Sequence, residues 1–201
     1  MIRVLIGEDQ RMVRGALGTL LGLEPDIEVV SQVGRGDEIV AAAVDSRADV
    51  ALLDIEMPGL DGLSAAEVLH RTMPDCVIII LTTFGRPGYL RRAMEAGASG
   101  FLVKDGPAED LAAALRRAMA GERVIDNALA AAALSAGPNP LSTREREVLA
   151  AAADGSTIAS VASRLFLSEG TVRNYLSSAI QKTDATTRME AVLTAERRGW
   201  L

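Results

Sequence analysis

The sequence predicts an α/β domain built on a parallel sheet, followed by a smaller, wholly helical module. Three observations carry that prediction. Short apolar runs alternate five times with helical segments through residue 120. The central run, 50–53, shows no polar alternation, as in a strand buried on both faces of a parallel sheet. The texture then breaks at Ser135-Ala-Gly-Pro-Asn-Pro140, which cannot continue a helix, and no strand candidate follows.

Taken in order, strands are expected at 2–6, 27–33, 50–54, 76–82 and 99–103, each apolar and bounded by turn residues. Helices are expected between them at 12–23, 37–46, 63–71, 87–96 and 107–120. The first ends at Gly22 and Pro25, which cannot extend it. The fourth opens at Pro87 and is followed by Gly97, suited to a left-handed cap. The fifth has Pro107 near its first turn. A short alanine-rich helix at 128–134 precedes the break. Beyond it, Ser142 and Glu145 form a capping box for a helix whose apolar face is Val148, Leu149 and Ala152, and Gly155 ends it. A short helix, 158–165, turns through Phe166-Leu-Ser168 into a longer one, 169–182. Ser168 is its N-cap and Glu169 lies in its first turn.

Apolar residues make up 49% of the 201, enough for a real core. The longest apolar runs, 76–81 and 128–134, are far too short to cross a membrane. The chain enters a strand at once, so no signal peptide is expected and the expected compartment is the cytoplasm. One cysteine, Cys76, excludes an intrachain disulfide framework and reads as a core filler. The single His70 sits on a helix surface and is given no role. Residues 1–121 carry 18 acidic and 12 basic side chains, a net of −6; residues 141–201 carry 7 and 8, a net of +1. An acidic front and a weakly basic tail fit two modules. The tail is not basic enough to establish nucleic-acid binding by charge alone.

Asp54 closes the central strand, and Pro58-Gly59 turn the chain after it. A carboxylate there lies where open α/β sheets bind their ligands. Glu8-Asp9 follow a second strand, Thr82 ends a third and Lys104 follows a fourth, so five polar residues share one sheet edge. Carboxylates crowded at neighbouring strand ends repel one another unless a hard cation such as Mg²⁺ joins them. Each residue suits phosphoryl transfer to a carboxylate. Asp54 is the nucleophile that forms an acyl phosphate, and Glu8 and Asp9 hold Mg²⁺. Lys104 supplies a point charge to the phosphate, and the Thr82 hydroxyl donates to one of its oxygens. The bland alternative is an ion-pair network without chemistry, which requires all five to reach strand ends by accident.

The stretches Glu8-Asp9, Asp54-Ile-Glu-Met-Pro-Gly-Leu-Asp-Gly62, Leu81-Thr-Thr83 and Gly97-Ala-Ser-Gly-Phe-Leu-Val-Lys104 resemble the receiver domain of two-component response regulators, over residues 1–121. The resemblance implies a flavodoxin-like (CheY-like) sheet of five parallel strands in the order 2-1-3-4-5. It implies a histidine kinase as phosphoryl donor and Asp54 as acceptor. It also implies Mg²⁺ held by Glu8, Asp9, Asp54 and the main-chain carbonyl of Glu56. The switch aromatic maps to Phe101, which lacks a tyrosine hydroxyl and must act by packing. Glu56 and Phe84 fall at positions that tune acyl-phosphate lifetime. A homodimer is expected on phosphorylation.

In the second module, Val161, Ala162 and Leu165 face Val172, Leu176 and Ile180 across the turn, leaving Arg173, Asn174 and Ser177 outward. An ordinary helical hairpin and a helix-turn-helix both fit that arrangement. Leu141-Ser-Thr-Arg-Glu-Arg-Glu-Val-Leu149, Leu165-Phe-Leu-Ser-Glu-Gly-Thr-Val-Arg-Asn-Tyr175 and Glu190-Ala-Val192 tip the balance. They resemble the LuxR-type DNA-binding domain of the NarL/FixJ regulators, over residues 141–201, with 122–140 as linker. A double-stranded DNA partner follows, read by Arg173 on guanine and Asn174 on adenine, with Thr171 and Ser177 beside them and Lys182 on a phosphate. The family's last helix maps to 187–198 and commonly forms a dimer contact. Two positions depart from the pattern. Ala159-Ser160 stand where Lys and Glu are frequent, removing a phosphate contact, and Phe166 stands where glycine is frequent, implying backbone strain.

Gly7-Glu-Asp-Gln10, Arg86-Pro-Gly-Tyr89, Gly170-Thr-Val-Arg-Asn-Tyr175 and Gly199-Trp200 resemble a subgroup of these regulators that is partnered with a membrane-fluidity-sensing kinase. That implies a membrane-bound sensor histidine kinase, no direct membrane binding by this chain, and control of lipid-desaturase genes. The combined expectation is a phosphorylation-controlled transcription factor without a turnover substrate. A phosphatase reading would use Asp54 as nucleophile and Glu56 as general acid, and shares Lys104 and Thr82. It leaves the helical module unexplained. A phosphate-independent scaffold leaves the acidic edge unexplained.

Overall fold

The computed structural model describes residues 1–83, 87–104, 108–126, 129–131 and 139–201. The chain divides into two compact units, residues 1–85 with 90–130 and residues 131–201 with 86–89. Six strands run through the first: β1 (Ile2–Gly7), β2 (Ile27–Val33), β3 (Val50–Leu53), β4 (Val77–Thr82), β5 (Gly100–Val103) and β6 (Val124–Ile125). All pairings are parallel, in the order β2-β1-β3-β4-β5-β6. The helices between strands are α1 (Arg11–Leu21), α2 (Ile39–Ser46), α3 (Gly62–Thr72), α4 (Pro87–Glu95) and α5 (Ala108–Met119).

The five expected strands keep the expected order, and β6 adds a sixth within the stretch read as linker. It pairs Val124 with Gly100 and Ile125 with Phe101. Two residues are too few to show a period, which is why the pattern missed it. Helix α1 stops at Leu21, two residues early, where the Gly22 amide caps onto the Gly18 and Leu20 carbonyls. The second helix opens as a 3-10 turn, Gly36–Glu38. Gly36 lies against the loop after β3, and a Cβ there would sit 1.8 Å from the Leu60 oxygen.

Val4, Ile6, Val50, Leu52, Ile79 and Leu81 pack with Leu21, Leu111 and Leu115 in one buried cluster. The residues between them, Leu5, Ala51, Leu53, Ile78 and Ile80, are equally buried, and strand geometry sends them to the opposite face. Covering both faces explains why β3 contains no polar residue. The apolar sheet then leaves polar chemistry only its ends.

The second unit holds α6 (Thr143–Ala151), α7 (Ile158–Leu165), α8 (Glu169–Lys182) and α9 (Arg188–Arg198). Each opens on a hydroxyl cap: Ser142, Thr157, Ser168 and Thr187 accept the amides of Glu145, Ser160, Thr171 and Glu190. Such a cap contributes about 1 kcal/mol. Ser142 and Glu145 complete both halves of the capping box. Val148, Leu149, Val161, Val172, Leu176, Val192 and Trp200 form the core, with Leu165 and Ile180 packed at its edge. Most of the helix expected at 128–134 and most of the break at 135–140 lie outside the described residues. Among the described residues, no helix is long and apolar enough to cross a membrane.

Candidate functional site

Hydrogen bonding continues one residue past the strands at the carboxyl edge of the sheet. The Asp54 amide donates to the Gly7 carbonyl at 2.8 Å, the Lys104 amide to Thr82 at 2.8 Å, and the Glu8 amide to Val33 at 3.0 Å. These backbones are thus held as firmly as strand residues while their side chains leave the sheet. Gly62 secures the turn after Asp54: a Cβ there would lie 1.8 Å from the Asp54 carbonyl oxygen. Gly59 takes φ 83°, a left-handed conformation that favours glycine.

The side chains converge on Lys104. Its Nζ lies 2.6 Å from Glu8 Oε2 and 3.1 Å from Asp54 Oδ1. Glu8 and Asp54 are only 1% and 4% exposed, whereas Asp9 stands exposed beside them. One carboxylate oxygen from each of the three falls within 4.8 Å of the others. The Gln10 amide donates to Glu8 Oε1 at 3.1 Å, and the Arg14 guanidinium donates to the Glu8 and Asp9 carbonyls. Glu8 Oε2 and Lys104 Nζ are fully buried and meet as an ion pair, without a well-angled hydrogen bond.

Burial pushes the Glu8 carboxyl above its ordinary pKa; Lys104 and the Gln10 amide pull it back, and the Asp54 charge adds to the rise. Burial likewise raises Asp54, against the opposing pull of Lys104. For Lys104, burial acts downward, but the Glu8 and Asp54 carboxylates beside it outweigh that and hold the ammonium above its ordinary value. One cation therefore half-compensates two buried carboxylates with a third alongside. Two buried carboxylates with a third alongside, their oxygens within 4.8 Å of one another, are a donor set that fits a hard divalent cation such as Mg²⁺.

Thr82 is buried at the end of β4, paired in register with Val103. Phe101 is fully buried on β5, opposite Ile80 and Ile125. The Glu56 side chain is exposed on the turn after Asp54, and Phe84 lies outside the described residues.

In the second unit, Val172, Leu176 and Ala179 anchor α8 and leave Arg173, Asn174 and Ser177 exposed. The Arg173 guanidinium rests on Glu169 at 2.8 Å, one turn back. The Thr171 hydroxyl lies 2.8 Å from that of Ser168. Lys182 is less free than the sequence suggests, because its ammonium meets both Glu145 oxygens, at 2.9 and 2.8 Å. Ser178 donates to Glu145 Oε1 at 2.6 Å. Burial acts to raise the Glu145 carboxyl, but Lys182, Ser178 and the Ser142 cap outweigh it and hold it down at about 2. Glu145, read from the sequence only as a cap, thus ties α6 to α8. Its contacts with Ser178 and Lys182 join residues that no local pattern connects.

Comparison with known proteins matches residues 4–116 to the family described as response regulator receiver domain. Residues 139–195 match the bacterial regulatory proteins of the luxR family. The chain is similar to the transcriptional regulatory protein YvfU of Bacillus subtilis (strain 168), 48% identical over 201 residues and covering 100% of both chains. It is also similar to the transcriptional regulatory protein DesR of the same organism, 46% identical over 200 residues, covering 100% of this chain and 99% of the other. Among solved structures it resembles the response regulator ChrA of a heme-sensing two-component system, at 31% identity and a TM-score of 0.59, covering 100% and 98%. A likeness in fold alone extends to RcsB of Salmonella enterica serovar Typhimurium bound to a promoter, at 24% identity, a TM-score of 0.71 and 98% of each chain.

Proposed function

Since the chain belongs to the two-component response regulators that carry a LuxR-type DNA-binding domain, we propose that Asp54 accepts a phosphoryl group from a sensor histidine kinase and that this event controls DNA binding through dimerisation. The observation that carries the proposal is the convergence of Glu8, Asp54 and Lys104 at adjoining strand ends, with Lys104 within 3.1 Å of Asp54. An Asp54 oxygen attacks the phosphorus of a phosphohistidine. The P–N bond breaks, and the electron pair and a proton return to the imidazole. Lys104 turns from the carboxylate pair to the phosphoryl oxygens, and Thr82, beside it on β4, donates its hydroxyl to them. Glu8, Asp9, Asp54 and the Glu56 carbonyl would hold Mg²⁺, which supplies charge neutralisation for the transferred group.

Movement of Thr82 toward the phosphoryl group changes the packing around Phe101 and favours self-association. On DNA, Arg173 and Asn174 read guanine and adenine, Thr171 and Ser177 add hydroxyl contacts, and Lys182 meets a phosphate. An ammonium carries three donors, so Lys182 keeps one for a phosphate while Glu145 takes two. The subgroup resemblance makes a lipid-desaturase promoter the first operator to test, and the kinase a membrane-bound one.

Acetyl phosphate with Mg²⁺ is expected to add one labile phosphoryl group, measured as intact mass, and Asp54→Asn to abolish it. The same adduct on the substituted protein places the acceptor elsewhere and overturns the proposal.

A further inference from the structure

We infer that Phe166, in the turn between α7 and α8, contacts DNA directly, laying its ring against deoxyribose carbons or a thymine methyl at the edge of the groove that α8 enters. The inference rests on α8 being the reading helix. Phe166 has φ 56° and ψ 42°, the left-handed region that a Cβ disfavours. The residue is 95% exposed, so packing within the unit does nothing to offset that cost. The turn itself is secured by other groups: the Leu167 amide donates to the Ala162 carbonyl at 2.9 Å, and Leu167 packs on the helical core. Glycine or asparagine would hold the same backbone at lower cost. A local rule broken without a compensating contact inside the fold points to a contact outside it.

Position and surroundings identify that contact. Phe166 stands two residues ahead of Ser168, the N-cap of α8. A recognition helix enters the major groove by its N-terminal residues, which brings the turn before it to the groove edge. A phenyl ring offers no hydrogen bond there, so it meets apolar parts of the duplex, the sugar carbons and the thymine C5-methyl. A protein partner fits less well, because binding hot spots gather several large apolar side chains. Among its neighbours in the chain, Ser163, Arg164, Ser168, Glu169 and Gly170 are exposed, and none is a large hydrophobe.

The test compares full-length Phe166→Gly, Phe166→Asn and Asn174→Ala with the unsubstituted protein, on an operator duplex selected from random DNA. Unfolding midpoints are read by Trp200 fluorescence. Both Phe166 variants are expected to keep or raise the midpoint yet bind about three- to tenfold more weakly, with an unchanged salt slope because no phosphate contact is lost. A residue with a merely structural role cannot give a more stable unit that binds less well. Equal affinity of both Phe166 variants and the unsubstituted protein, with Asn174→Ala still impaired, overturns the inference. Lost promoter activation at unchanged DNA affinity overturns it in favour of a protein contact. If Asn174→Ala also binds normally, it is the assignment of α8 as reading helix that fails.

Discussion

Glu145 and Lys182 stand 37 residues apart in sequence, yet both carboxylate oxygens of the first lie within 2.9 Å of the ammonium of the second. The pair joins the first turn of α6 to the last turn of α8. The pose of α8 against α6 therefore depends on a contact between residues far apart in sequence. The Glu145 carboxyl titrates at about 2 in the folded unit, against 4.5 for an ordinary glutamate. A depressed folded value means that the ionised form stabilises the fold. That contribution is fully present above pH 4.5 and is lost as the pH falls toward 2. Glu145→Gln is expected to cost about 1–2 kcal/mol near neutrality, discounted because Lys182 is partly exposed. The gap to the unsubstituted protein should close as the pH drops through that window. Denaturant melts at a series of pH values measure it, and a gap independent of pH removes the charge as its cause.

Lys182→Ala tests the two roles of one ammonium. Unit 2 is expected to lose stability through Glu145, and binding to weaken alike on every DNA sequence. The salt slope should fall by less than the full unit of about one that a free phosphate contact gives, because Glu145 already neutralises part of the charge. Isotherms at several salt concentrations decide it.

Gly62→Ala places a Cβ 1.8 Å from the Asp54 carbonyl, so the turn must shift. Phosphorylation by acetyl phosphate is expected to slow by about tenfold or more, because displacement of the attacking carboxylate by a fraction of an ångström spoils its alignment. An unchanged rate, followed by intact mass, shows that the turn relaxes without moving Asp54.

Thr82→Ala separates the chemistry from its readout. The variant is expected to accept the phosphoryl group on Asp54 but to lose the shift from monomer to dimer in sedimentation at matched concentration. A variant that still dimerises shows that the switch does not pass through Thr82.

Much of this was legible in the sequence because the sheet is buried on both faces. Unbroken apolar runs mark such strands, and the polar residues Glu8, Asp54, Thr82 and Lys104 stand out at their ends. The helix caps were equally readable, since Ser142, Ser168 and the residues they hold are three apart. Contacts made across the fold left no local trace. Lys182 on Glu145 and the close approach of Gly36 to Leu60 depend on segments that meet only after folding. Strand β6 escaped for a different reason, being too short to have a period.

Trp200, the sole tryptophan, is buried in the core of the second unit, with Arg198 over its ring at 4.9 Å and Asn139 donating to its carbonyl at 2.9 Å. Its indole N–H has no hydrogen-bond partner among the described residues. Trp200→Phe therefore removes an unsatisfied donor and is expected to change stability by less than about 1 kcal/mol, whereas Trp200→Ala should cost about 3–5 kcal/mol. A large loss with phenylalanine, measured by circular dichroism, reveals a partner for the indole nitrogen.

Strand β6 also changes how the outgoing chain is attached. Ile125 lies in register with Phe101, so the segment leading away from the sheet is laced to the strand that carries the buried aromatic. A change in the packing of Phe101 therefore reaches Ile125 through a single backbone pairing, and β6, with only two paired residues, has the fewest ladder partners of the six strands to resist it.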